Sequence, residues 1–226
     1  MEPHVQVGQV TAILPLCPFP PLHWWFLALG HHAGSSIIAT NESFVKQSFR
    51  NRLQLVQADG AFNVSFPVKQ AGNPLNMKTN TAVLSSHVQP KVLWRSIQTA
   101  YGAAPFFEHF APELEALWLQ FLPATSDDHK LLSDWCYATL HWMATTCNWT
   151  LPSISDDPIA FQPQLDLRER QALRGHGWTF NRYTQLYEDR QPFVGGLSAL
   201  DALFILGPNE LNARLPELVQ HPARVD

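Results

Sequence analysis

Arg52-Leu53-Gln54-Leu55-Val56-Gln57-Ala58-Asp59-Gly60-Ala61-Phe62-Asn63-Val64-Ser65-Phe66-Pro67-Val68 is the stretch whose period decides the fold. Leu53 and Leu55 alternate with Arg52 and Gln54. Beyond Asp59-Gly60, the residues Phe62, Val64, Phe66 and Val68 alternate with Asn63 and Ser65. A period of two on both sides of an Asp-Gly turn predicts a β-hairpin with one apolar face.

Immediately upstream lies the densest polar stretch, Lys46-Gln47-Ser48-Phe49-Arg50-Asn51-Arg52, with three cations in seven residues. A strand beginning near Arg50 would place Arg50, Arg52 and Gln54 on one face. Asn51 would then turn inward with Leu53 and Leu55, where its amide needs partners. Two guanidinium forks two residues apart suit a phosphate or carboxylate, which they can grip bidentately. A solvated strand edge, or pairing with acids elsewhere, explains the same residues.

Toward the N-terminus, Val10 to Leu14 reads as a short buried strand ended by the proline-broken loop Pro15 to Pro21. Leu22 to His31 has helical length, with Pro21 suited to its first turn. Ser36 to Ala39 is a second strand, so the chain opens β-loop-α-β, an arrangement in which ligands sit beyond the strand ends. Gln70 to Asn80 is a polar loop. From Pro90 the period becomes helical, with Leu93, Ile97, Ala100 and Tyr101 on one face. A second helix is predicted from Pro112, burying Leu114, Leu117, Trp118, Phe121 and Leu122. A third is predicted from a Ser126 cap, with Asp127 and Asp128 at the positive end of its dipole, burying Leu131, Trp135, Ala138 and Trp142. Ser153 to Gly177 is polar and aperiodic, long enough to be a flap or to hold a short hidden element. Tyr183, Gln185 and Tyr187 alternate as one face of a short strand. Ser198-Ala199-Leu200-Asp201 opens a last helix that Gly207 and Pro208 end.

These elements predict a mixed α/β (α+β) fold: a mixed β-sheet with a β-hairpin from the first half, covered by helices from the middle and C-terminal parts. Residues 1–226 are read as one domain, with the helices of 90–147 as a semi-separate lobe. Composition agrees with a packed core: 46% of the 226 residues are apolar and 8 Trp and 14 Phe supply burial. Lys and Arg total 15 against 19 Asp and Glu, a net charge of −4. That sign speaks against a nucleic-acid partner. No apolar run approaches the roughly 20 residues of a membrane helix. Met1 to His4 lacks the basic region of a secretory signal. The cysteines, Cys17, Cys136 and Cys147, are few and odd in number, which predicts free thiols and a cytoplasmic setting.

Other chemistry has weaker signals. Cys17 lies between a strand and a helix, and His23 follows; together they could act as nucleophile and base, although free cysteines are commonly buried and inert. His31-His32 are adjacent and point about 100° apart on a helix, which disfavours shared chelation. Cys136 and Cys147 on one helix would be separated by roughly 16 Å of rise. No metal and no cofactor is expected. Gly195-Gly196 could admit an anion to a helix N-terminus or simply let the chain turn.

Lys46-Gln47-x-x-Arg50-Asn51-Arg52, the Asp59-Gly60 turn and Phe66-Pro67-Val68 resemble the WbqC-like family. Four further stretches fall in the same order. They are Leu14-Pro15 through Pro20-Pro21 with Trp24-Trp25-Phe26; Trp94-Arg95-x-Ile97 with Ala100-Tyr101 and Ala104 to Glu108; Tyr183-x-Gln185; and Leu197-Ser198-x-Leu200-Asp201 through Gly207-Pro208. The chain departs from the family pattern at His23 or Trp24, where a Tyr is common, and at Gly196, where an Asn is common. The resemblance implies bacterial surface-polysaccharide or O-antigen biosynthesis, with acyl or aminoacyl transfer to a sugar or nucleotide-sugar. It implies substrate-binding roles for Lys46, Gln47, Arg50, Asn51, Arg52, Tyr183 and Gln185, converging on a small anionic substrate such as a nucleotide-sugar or acyl donor. A non-catalytic assembly module, docking through aromatics of Phe19 to Phe26 and Phe106-Phe107, is the alternative. Replacing Arg50 and Arg52 with Ala is expected to abolish nucleotide-sugar binding and leave thermal stability nearly intact, and burial of those aromatics would weaken the docking alternative.

Overall fold

The computed structural model describes residues 10–31, 34–69, 77–156 and 165–221. Met1 to His4, His32, residues 70–76 of the polar loop and residues 157–164 of the long polar segment lie outside the described residues.

The chain opens with β1 (Val10–Pro15), α1 (Leu22–Ala28) and β2 (Ser35–Ala39), and β1 and β2 pair in parallel. Alternation along β1 sends Ala12 and Leu14 into the main core and Ile13 to the opposite face with Ile37 and Ala39. Helix α1 stops before the His31 that the sequence suggests. Gly30 takes a left-handed φ of 75°, and the N–H groups of Gly30 and His31 turn back onto the carbonyls of Leu27 and Phe26.

The hairpin forms as β3 (Arg52–Gln57) and β4 (Gly60–Ser65), with Leu53 opposite Val64 and Gln54 opposite Asn63. It starts later than Arg50. Phe49–Asn51 instead make a 3-10 turn, capped by the Ser48 hydroxyl accepting from the Arg50 N–H at 3.3 Å. Arg50 therefore does not share the outer face with Arg52 and Gln54; it turns inward.

Three helices follow: α2 (Pro90–Tyr101), α3 (Phe107–Phe121) and α4 (Leu132–Cys147). Helix α3 begins five residues before Pro112, because Pro112 is solvent-exposed and the bond it cannot donate to the Glu108 carbonyl falls on the wet side. Helix α4 begins at Leu132, not near Ser126. Lys130 and Leu132 are held extended by backbone bonds with Leu84 and Ala82 (both 2.8 Å), which delays the first helical turn. Asp128 caps a turn instead, accepting from the N–H groups of Ala124 and Thr125. The buried face of α4 is accordingly Leu132, Trp135, Cys136, Leu140 and Met143.

The long polar segment holds two short strands, β5 (Ser153–Ser155) and β6 (Leu165–Asp166), and the single turn α5 (Arg170–Leu173). Both strands join the first two, giving a four-stranded parallel sheet in the order β5-β2-β1-β6. The hairpin keeps its own two-stranded ladder. β7 (Thr179–Phe180) pairs with β8 (Val219–Gln220), and α6 (Ala199–Leu218) runs between them with a break at Gly207 (φ 73°). Gly207 thus ends one helix, as expected, but Pro208 starts another at once. Tyr183 to Gln185 form no strand. The fold is mixed α/β, with helices from the middle and C-terminal parts of the chain around these sheets.

An aromatic core locks the layers. Trp118 meets Trp135 edge-on at 4.7 Å, and Phe19 stacks on Trp118 at 5.4 Å. Each such pair contributes about 0.5–1.5 kcal/mol beyond area burial. No described helix is long and apolar enough to cross a membrane.

Candidate functional site

Along the sheet the strands run third, second, first, fourth in chain order, so the direction of connection reverses between β1 and β6. Loops leaving the carboxyl ends at such a reversal diverge and leave a crevice. A cleft of about 610 Å³ lies at the carboxyl-end edge of this sheet. Its walls come from the segments leaving β2 (Asn41, Glu42, Ser43), β5 (Asp156) and β6 (Asp166, Arg168, Glu169), with Val45, Arg50 and Lys78.

Glu42 and Arg50 form a buried ion pair in its wall, with side chains only 6% and 2% exposed. One Arg50 nitrogen, Nη2, donates to Glu42 Oε2 and also to the Arg168 carbonyl at 2.8 Å. The pair is incompletely satisfied: Arg50 Nε and Nη1 and Glu42 Oε1 have no partner among the described residues. Burial pushes the Glu42 carboxyl above its ordinary pKa, against the pull of the Arg50 guanidinium. Asp166 behaves oppositely. Burial acts to raise it, but hydrogen bonds from Arg168 (Nε at 2.9 Å, Nη2 at 2.6 Å) hold it below the usual carboxylate range. At the cleft's other wall Asp156 accepts from the Thr40 hydroxyl.

A second hollow of about 340 Å³, sharing no lining residue with the first, is lined by Gln47, Ser48, Phe49, Arg52, Gln54, Asn63 and Arg174. The hairpin's register makes it: Arg52 and Gln54 share the outer face of β3, and Asn63 is the cross-strand partner of Gln54. The basic motif therefore straddles two cavities, with Arg50 in the first and Gln47 and Arg52 in the second. Lys46 is exposed and lines neither. Asn51 is buried and donates from Nδ2 to the Phe66 carbonyl at 3.0 Å, which fastens the 3-10 turn to the hairpin.

Tyr183 and Gln185 are elsewhere. Asp201, fully buried in the first turn of α6, accepts from the hydroxyls of Tyr101 and Tyr183 and from Gln185 Nε2 at 3.1 Å. Gln185 also exchanges bonds with both backbone groups of Val194 (3.0 Å each), and the Tyr101 oxygen accepts from the Val56 N–H. Burial pushes Asp201 up in pKa while its three donors oppose that. The network lines neither hollow, and the structure does not bring Tyr183 and Gln185 together with the arginines.

Cys17, in the segment leaving β1, is wholly buried; burial raises its thiol far above the ordinary value, with Arg50 pulling it down and Glu42 pushing it up. Such a thiol supplies almost no thiolate. His23 is also buried, with Nε2 bonded to the Leu173 carbonyl at 3.0 Å and its ring against Trp178 and Phe180. Desolvation lowers its pKa to about 4. It opens into neither hollow. Gly195 makes room for an aromatic: a Cβ there would come within 2.7 Å of the Phe180 ring.

Sequence reasoning missed Glu42, Asp156, Asp166, Arg168 and Arg174. The signal for most of them was the unexplained length of the 153–177 segment, which carries all but Glu42. Among the described residues no group of three or more His, Cys, Asp or Glu is gathered as for a metal ion.

Residues 19–157, more than half of the chain, match the family described as the WbqC-like protein family. The match takes in Glu42, the basic motif, the hairpin and Asp156, and ends before β6, Arg168 and Arg174. No curated protein and no solved structure matches the chain.

Proposed function

The chain belongs to the WbqC-like protein family, and from that premise we propose that it is a transferase moving an acyl or aminoacyl group onto a sugar or nucleotide-sugar in bacterial surface-polysaccharide biosynthesis. One observation carries the reading: a buried carboxylate-guanidinium pair, with spare donors and a spare acceptor, borders the crevice at the carboxyl ends of a parallel sheet. An acceptor hydroxyl or amine attacks the acyl carbonyl of the donor. Its proton passes to Glu42, whose raised pKa brings it nearer the range useful for a general base. The bond to the leaving group breaks as the carbonyl reforms. Arg50 faces the charge that develops on the carbonyl oxygen, and its fixed position in a low-dielectric wall makes that interaction strong. No covalent enzyme intermediate is needed, in keeping with the buried state of Cys17.

A docking role built on the aromatics has less support. Phe19, Trp24, Trp25, Phe26 and Phe107 are all core residues, whereas their neighbour Phe106 is exposed.

The test incubates the protein with nucleotide-sugars and aminoacyl or acyl-thioester donors and follows acylated product by mass spectrometry. Glu42→Gln is expected to cut the rate by about 10²-fold or more, while ligand-induced thermal stabilisation persists. Full activity in Glu42→Gln ends the base assignment. Absence of product from the unaltered protein with every donor ends the transferase reading.

A further inference from the structure

The second hollow has a composition unlike the first. Arg52 and Arg174 both line it, and among the described residues no carboxylate lines it or pairs with either guanidinium. Arg52 Nε is buried without a hydrogen-bond partner among the described residues. A buried guanidinium donor without an acceptor is costly, and Arg52 also lines the hollow. The remaining polar wall consists of three amides, Gln47, Gln54 and Asn63, with the Ser48 segment between them. Amides both donate and accept, so they read hydroxyl groups, whereas the arginines read an oxyanion. Gln47 holds a φ of 57°, a conformation that non-glycine residues adopt at a cost and that recurs at ligand sites.

We infer that this hollow is a phosphate-ester site: Arg52 and Arg174 clamp the phosphoryl oxygens, and Gln47, Gln54 and Asn63 bind hydroxyls of the ester's body. Two guanidinium groups without a counter-charge suit the dianion of a phosphate better than a single carboxylate. The volume of about 340 Å³ is that of a small-molecule subsite. A free sugar phosphate and the diphosphate of a nucleotide-sugar share this chemistry. The site is separate from the Glu42–Arg50 cleft, and the assignment rests on the transferase reading only for what becomes of the bound ester.

Isothermal titration of inorganic phosphate, glucose, glucose 1-phosphate and UDP-glucose tests it, using the intact chain and the variants Arg174→Gln, Arg52→Gln and Glu42→Gln. The phosphate esters are expected to bind more tightly than phosphate, and glucose not at all. Arg174→Gln and Arg52→Gln each weaken the esters at least tenfold, and Glu42→Gln leaves them unchanged. Arg174 is exposed, so its variant remains informative even where Arg52→Gln fails to fold. Binding of UDP-glucose alone or of glucose 1-phosphate alone, with the same arginine dependence, supports the site and identifies the source of the phosphate. Ester binding that ignores both arginines but falls in Glu42→Gln overturns the site and moves the anion to the cleft. Failure of every phosphate probe to bind overturns it as well. Arginine-dependent binding without any acyl transfer leaves the site standing and removes only the transferase reading.

Discussion

The buried polar cluster around Asp201 and the one around Glu42 and Arg50 are built on opposite principles. Around Asp201, three donors meet one carboxylate, and Gln185 uses its remaining donor and its acceptor on Val194. The cluster joins the end of α2, the edge of β3, the Tyr183–Val194 loop and the start of α6, and it is closed to solvent. Around Glu42 and Arg50, one nitrogen makes both of the guanidinium's bonds while Nε and Nη1 have no partner among the described residues, and the pair borders a cleft. A satisfied polar cluster is a staple: it makes one arrangement of the chain better than its competitors. An incompletely satisfied one beside a cavity is a cost to folding that an occupant can repay.

Removing one partner at a time sharpens this contrast most. Arg50→Met strands a buried carboxylate and is expected to destabilise by about 3–5 kcal/mol, measured by urea unfolding. The double change Arg50→Met with Glu42→Leu should regain most of that stability yet show no product in the transfer assay. Recovered activity in the double variant would break the assignment of the cleft.

Asp201→Ala removes the acceptor of two buried phenol hydroxyls and one of the bonds from Gln185 Nε2, and is expected to cost about 3–4 kcal/mol, with ligand binding unchanged at temperatures where it is folded. A folded Asp201→Ala protein that no longer binds would erase the distinction between the clusters.

His23 extends the comparison to a buried base outside both hollows. Its folded-state pKa is lowered from 6.5 to about 4. Between these values the unfolded chain binds the extra proton and the folded protein does not, so stability falls as pH drops from 6.5 toward 4. The loss attributable to this one group is up to about 3 kcal/mol. A His23→Phe variant should show a shallower decline over that window in pH-dependent chemical unfolding. Identical slopes would show that His23 does not titrate as a buried neutral ring.

The smallest expected effect on stability belongs to Arg174→Ala. This side chain is exposed, so the unfolding midpoint should stay put while phosphate-ester affinity falls. A lowered midpoint with unchanged affinity would make Arg174 a structural residue and leave Arg52 as the hollow's only supported cation.

Legibility in the sequence followed the range of each interaction. The basic motif 46–52 was visible as a local charge cluster, and the outward pairing of Arg52 with Gln54 followed from the strand period. The inward turn of Arg50 was not visible, because Ser48 caps a 3-10 turn that shifts the start of the strand. Tyr183 and Gln185 showed the right spacing for a strand face and yet lie in an irregular segment, pulled into place by Asp201. The alternation was real, but its cause was a shared acceptor.

The amino-acid order alone determined the local elements: period two through 53–64, period 3.6 from Pro90 to Phe121, and the β-α-β opening. In each, repeated apolar spacing acts on neighbours a few residues apart. Only the tertiary structure decided that residues 165–166 lie beside β1, that Glu42 and Arg168 meet Arg50, and that Arg174 lines the same hollow as Arg52. Strands of two or three residues contain too few positions to display a period. A contact such as that between Arg50 and the Arg168 carbonyl, 118 positions apart, leaves no mark on its local sequence at either end. The residues that border the cleft were therefore set by long-range pairing of the sheet, which brings the ends of distant strands to one edge.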